Sequence, residues 1–200
     1  MIRVLAINGS PRAEKSRTFF LIQKALEVCK NMGAEIDVIH LSKVYIEHCS
    51  GSYSEDRESC NLENCLKTRD SFKYVLNKML ISDGIIFGTS VHWFSVSSLM
   101  KTLIDRLTSV ENIEKLFDGK VAGFVAVAEE EGTMNAILQM VSAFNFMGFL
   151  IPPYAFVYST GFYDNISKDI EAIEDAKRLG RNIIIAIKSI ENVENWWRIF

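Results

Sequence analysis

The stretch Asn8-Gly9-Ser10-Pro11-Arg12-Ala13-Glu14-Lys15-Ser16-Arg17-Thr18 gathers three hydroxyls and two guanidinium groups between an apolar run and a segment of helical period. A loop that leaves a strand and enters a helix presents hydroxyls and backbone N–H groups at a helix N-terminus, which is chemistry for a phosphate. Ser10, Ser16 and Thr18 can donate to phosphate oxygens, Arg12 or Arg17 can add charge, and Gly9 lets the backbone turn sharply off the strand. Ser16 would also cap the helix whatever bound nearby. The loop has neither the G-x-x-x-x-G-K-S/T of a P-loop nor the G-x-G-x-x-G of a dinucleotide fold. After the second strand come His40, Leu41 and Ser42 rather than an acid for an adenosine ribose, so a mononucleotide phosphate fits better.

A second set is formed by thiols. The cysteines are Cys29, Cys49, Cys60 and Cys65, and the last three lie in one polar stretch, residues 42–67. That usage does not read as a disulfide scaffold, and a reducing compartment favours free thiols or metal ligands. His48 or His40 with the three clustered cysteines could hold zinc, but the ten-residue gap between Cys49 and Cys60 lacks a tight C-x-x-C turn. Zinc and a redox thiol stay open beside no metal at all.

The elements that must position these groups alternate between apolar runs of strand length and segments of helical period, the signature of a parallel sheet covered on both faces by helices. Five runs are legible: Ile2 to Ile7, Ile36 to Leu41, Gly84 to Gly88, Val121 to Ala128 and Leu150 to Val157. Ile22, Ala25, Leu26, Cys29 and Gly33 fall on one helical face, and Val96, Leu99, Met100, Leu103, Leu107 and Val110 on another. Further helices are read from about Thr68 to Ile81, Thr133 to Met147 and Ser167 to Ile187, with Asp83-Gly84, Asp118-Gly119 and Pro152-Pro153 as punctuation. The stretch 42–67 exceeds the usual connection length.

Asn8-Gly9-Ser10-Pro11-Arg12 with Ser16 and Thr18, and the segment from Gly88-Thr89-Ser90-Val91-His92-Trp93-Phe94-Ser95 through the helix ending in Asp105-Arg106, resemble the NADPH-dependent FMN reductases and iron-sulfur flavoproteins. The resemblance covers residues 1 to about 160 and implies a flavodoxin-like three-layer α/β sandwich, a five-stranded parallel sheet with helices on both faces. It implies FMN as cofactor and NAD(P)H as electron donor, with electrons passed to a flavin, quinone or similar small-molecule acceptor. It places the phosphate on Ser10, Arg12, Ser16 and Thr18, and the ring among Thr89, Ser90, Val91, His92, Trp93, Phe94, Glu129 and Gly132. Trp93 and Phe94 could wall the ring, their alternative being plain core packing before a capping Ser95. His92 could bond the flavin or protonate a product, although a loop histidine is more often structural.

Members of the family usually carry Pro at the position of Ser90, Tyr at that of His92, and glycines where this chain has Glu129-Glu130-Glu131. Acids near the ring would lower its potential; the alternative is a solvated helix N-terminus stabilised by its dipole. Iron-sulfur flavoproteins carry four closely spaced cysteines after the second strand, whereas this chain offers Cys49, Cys60 and Cys65, with Ser52 in place of the second. The expectation is that the loop binds no intact cluster, and no protein acid or base is assigned, since the flavin carries the chemistry. Two other functions stay open: an electron carrier fed by a ferredoxin-like partner through the cysteine loop, and a flavin-free binding module.

At 200 residues the chain reads as a single domain over 1–200. Lys and Arg total 22 against 25 Asp and Glu, which leaves no broad basic surface for nucleic acid. No apolar run approaches the roughly 18 residues of a membrane span, and the N-terminus lacks the features of a secretory signal, so a cytoplasmic location is expected. A homodimer or homotetramer is implied by the resemblance, and the apolar tail, residues 189–200 with Trp196, Trp197, Ile199 and Phe200, could dock on a partner subunit.

Overall fold

The computed structural model describes residues 1–112, 115–161 and 165–190; the apolar tail lies almost wholly outside the described residues. Five strands, β1 (Arg3–Asn8), β2 (Glu35–His40), β3 (Gly84–Ser90), β4 (Val121–Val127) and β5 (Phe156–Ser159), form one sheet in the order β2-β1-β3-β4-β5. Every pairing is parallel, with Asn8 of β1 level with His40 on one side and Gly88 on the other. This is the flavodoxin-like order. It reverses direction at β1, so that the loops after β1 and β3 leave toward opposite faces and open a crevice at the carboxyl ends of the strands.

Helices α1 (Arg17–Asn31) and α8 (Ile170–Ser189) cover one face. The other is covered by α4 (Phe72–Leu80), α5 (Ser98–Arg106), α6 (Thr108–Glu111) and α7 (Thr133–Phe146). The apolar strands are buried on both sides, as a doubly covered parallel sheet requires: every residue of β4 is buried. Phe87 stacks on Phe144 with ring centroids 3.7 Å apart.

Several boundaries differ from the periodicity. Leu150 pairs with Val121 only as an isolated bridge, and β5 proper begins at Phe156, because Pro152 and Pro153 lack ladder donors and Tyr154 sits at φ 57°. The helix expected from Thr68 starts at Phe72, and the face from Val96 to Val110 is divided between α5 and α6 at Leu107. Gly33 lies beyond α1 at φ 90°, where it ends the helix instead of joining its buried face. Within 42–67 the chain forms two single turns, α2 (Ser52–Glu55) and α3 (Leu62–Cys65).

Candidate functional site

Asn8 ends β1 as a buried amide and organises the loop that follows. Its Oδ1 accepts from the Ser10 N–H at 3.1 Å, and its Nδ2 donates to the Ala13 carbonyl at 3.1 Å and to Nδ1 of His40 at 3.0 Å. The loop is thereby wound tightly enough to put Ala13 at φ 47°, in the left-handed region. Ser16 is the N-cap of α1: its Oγ accepts from Phe19 N–H at 3.0 Å and donates to the Ala13 carbonyl at 2.7 Å. The N–H groups of Arg17 and Thr18 stand in the first turn of α1, where no partner exists within the helix. Gly9 is needed for close approach: a Cβ there would lie 3.1 Å from both the Gly88 carbonyl and Met100 Cβ. Burial pushes the His40 imidazole below its usual range, against the pull of Glu14, so the neutral ring accepts from Asn8.

Across the crevice, β3 continues into a two-residue hairpin. His92 and Ser95 exchange both backbone hydrogen bonds at 3.0 Å, and the two residues between them, Trp93 and Phe94, sit at φ 50° and 62°. This is the geometry of a type I′ turn, which favours Asn-Gly and strains two aromatics. The turn holds Trp93 95% exposed and Phe94 55% exposed, so neither is core. Gly132 supports it: at φ 93° it has no Cβ, and one would stand 2.8 Å from Phe94 Cα. Ser95 is not the helix cap. That role falls to Ser97, whose Oγ accepts from Met100 N–H and donates to the Gly9 carbonyl at 2.6 Å, while Ser95 Oγ donates to Gln139. Two of the departures from the family pattern meet each other, Ser90 Oγ lying 3.0 Å from His92 Nε2.

Ser10, Arg12, Ser16, Thr18, Ser90, Val91, His92 and Glu129 line one cleft of about 210 Å³ at the carboxyl ends of β1, β3 and β4. Thr89, Trp93, Phe94 and Gly132 do not line it. Thr89 is fully buried, its hydroxyl taken by the Ser90 carbonyl and the Ser97 N–H, and only its carbonyl reaches Thr18 Oγ1, at 3.4 Å. Glu129 spans the mouth of the cleft to Arg17 at 3.2 Å, while Glu130 and Glu131 point into solvent. Asn8, Val127 and Ala128 also shape this end of the sheet. The available sign of Asn8 was a polar residue ending an otherwise apolar strand.

Cys49, Cys60 and Cys65 come together on a second cleft, of about 160 Å³, beside His48, Ser52 and Arg106. Burial pushes the Cys60 thiol up, helped by the neighbouring Cys49 and Cys65. The Arg106 guanidinium is buried; its Nε donates to Cys65 Sγ at 3.1 Å and its Nη1 to Asp70 at 2.7 Å and to the Glu47 carbonyl at 2.9 Å. His40 belongs to the first cleft's loop and is no partner of these thiols. Among the described residues no three His, Cys, Asp or Glu side chains are placed to hold one metal ion. Cys29 lies elsewhere, buried between α1 and α8, its thiol pushed up to about 12 by burial.

An iron-sulfur flavoprotein of Methanocaldococcus jannaschii is 29% identical over 199 residues, 95% of this chain and 100% of that protein. Another, from Archaeoglobus fulgidus, is 37% identical over 105 residues, 52% of this chain and about half (48%) of that protein's length. Among solved structures, RosB with bound 8-demethyl-8-formylriboflavin-5'-phosphate superposes with a TM-score of 0.78 at 18% identity, covering 94% of this chain and 79% of that one, a likeness of fold. The family model of the NADPH-dependent FMN reductases matches residues 2–164; the chain belongs to that family, and FMN is its cofactor.

Proposed function

We propose that the cleft beyond β1, β3 and β4 is the FMN site of an oxidoreductase that takes electrons from NAD(P)H and passes them to a flavin, quinone or similar small-molecule acceptor. The supporting observation is the convergence of Ser10, Ser16, Thr18 and Arg12 with the first turn of α1 opposite the loops after β3 and β4. When bound, FMN would supply the redox chemistry. The chain holds and orients it. Hydroxyls of Ser10 and Thr18, the guanidinium of Arg12 and the first-turn N–H groups of α1 would receive the phosphate, and Ser16 would add its hydroxyl on giving up its bond to the Ala13 carbonyl. Arg17 is tied to Glu129 by a pair whose carboxylate is largely solvated and hence weak, so it can turn to the phosphate as well. Ser90, Val91, His92 and Glu129, which line the cleft, would hold the ring, with Thr89 behind them and the hairpin of Trp93 and Phe94, seated on Gly132, beside them.

The same reading has residues 1–200 acting as one domain in the cytoplasm, as a homodimer or homotetramer. The exposed apolar stripe Met134, Leu138 and Phe146 on α7 supports association. No helix among the described residues is long and apolar enough to cross a membrane.

A second reading, an electron carrier with an iron-sulfur group in the cysteine cleft, is favoured by one observation. Helix α5 joins the two clefts, its N-cap Ser97 bonded to Gly9 and its last residue Arg106 bonded to Cys65. Visible spectra of protein purified without oxygen and loaded with FMN separate the readings. Bleaching of the flavin bands by NADPH, with steady turnover on an added quinone, is the expected result. A flavin that NADPH cannot bleach selects the carrier.

A further inference from the structure

We infer, on the reading of the cysteine cleft as an iron-sulfur site, that this chain holds such a core through three thiolates only, leaving one corner iron without a cysteine and releasable on oxidation. The chain has four cysteines, and Cys29 cannot be the fourth ligand. It is fully buried, its thiol donates to the Gly180 carbonyl at 3.4 Å, and α1 and α8 hold it on the opposite face of the sheet. Cys49, Cys60 and Cys65 share the cleft without converging on a point where a single ion would sit. An iron-sulfur core needs no such convergence, because each thiolate binds its own iron.

The cleft also carries a built-in thiolate partner. Arg106 Nε–H donates to Cys65 Sγ at 3.1 Å, and Asp70 and the Glu47 carbonyl fix that guanidinium, so its charge is aimed at the sulfur. The same cleft is lined by Ser52, three residues after Cys49, with its hydroxyl 2.8 Å from Ser50 Oγ, and by His48. A neutral hydroxyl is a far weaker ligand for iron in a sulfide core than a thiolate. Oxidation of a four-iron core at that corner passes one electron to the oxidant, releases one ferrous ion and leaves all four sulfides on the three-iron remainder.

The test reconstitutes FMN-loaded protein with ferrous iron and sulfide under argon, oxidises it with ferricyanide, and measures iron, sulfide and EPR. The expected result is about three irons and about four sulfides per chain, with the EPR signal of an oxidised three-iron core that ferrous iron and dithionite abolish. Ser52→Cys should raise retained iron to about four per chain and suppress that signal, while Cys29→Ala should reproduce the wild-type result. Four irons retained by wild type through oxidation, or no gain in Ser52→Cys, would overturn the three-thiolate inference and leave the iron-sulfur reading standing. Folded, FMN-loaded protein that retains neither iron nor sulfide would overturn that reading itself.

Discussion

At the scale of single residues, Asn8 and His40 do more for the proposed phosphate site than their distance from it suggests. Asn8 can brace the loop through Ser10 and Ala13 because neutral His40 accepts its second amide hydrogen. With its folded pKa below the ordinary 6.5, His40 binds fewer protons folded than unfolded, so stability rises with pH across that window and falls as pH drops through it. A charged imidazole cannot accept from Asn8. FMN affinity should therefore hold at the ordinary histidine value and weaken only as pH falls through the lowered one, and His40→Gln, whose amide oxygen can accept at any pH, should flatten that dependence. The phosphate's own ionisation near pH about 6 is common to both proteins, so the comparison isolates the histidine. Fluorescence titration of FMN across pH measures it; identical profiles would contradict the role given to His40.

At the scale of elements, the hairpin and the cysteine loop are the two costly constructions. Replacing Trp93-Phe94 by Asn-Gly should relieve left-handed strain and raise stability by about 1 kcal/mol or more while lowering NADPH-driven flavin reduction. Thermal melts and single-turnover spectra check the two halves separately. The cysteine loop is pinned to α5 by the buried Arg106–Asp70 pair. Burial opposes the Asp70 charge, but the N–H groups of Glu47 and Phe72 and the Arg106 guanidinium hold its carboxyl below its ordinary value of 3.8. Its contribution is thus full above that value and lost as pH falls through the lowered one. Arg106→Met, which strands Asp70 in the interior, should cost about 3–5 kcal/mol in urea unfolding at neutral pH.

Much of this scale was legible in the sequence. The five strands, the Ser16 cap and the order of loops and helices follow from continuous apolar runs and turn residues. The start of β5 was hidden because Leu150 and Ile151 continue the apolar run into two prolines. The Trp-Phe turn was hidden because type I′ geometry on aromatics contradicts local preference, and the bond between Ser90 and His92 shows only in three dimensions.

At the scale of the whole molecule, stability rests on how α1 and α8 seat against one face of the sheet. They pack closely at Gly180, where an added Cβ would come within 2.2 Å of the Ala25 carbonyl. Gly180→Ala should force the pair apart and cost about 1–3 kcal/mol, with FMN affinity of the folded protein nearly unchanged, since Ala25 lies two turns below the phosphate loop. Urea unfolding beside FMN titration would show it; a loss of affinity without loss of stability would contradict this division. Bound FMN should in turn stabilise the fold by about 2.7 kcal/mol at a hundredfold excess over Kd.

On the proposed reading the loop from Asn8 to Thr18 grips the flavin, and grips it by the phosphate. Calorimetric titration of the flavin-free protein with FMN and with riboflavin tests it most directly. Stoichiometric FMN binding is expected, with riboflavin weaker by about 100-fold or more, as when two charge-assisted hydrogen bonds are lost. Equal affinity for the two ligands would contradict it.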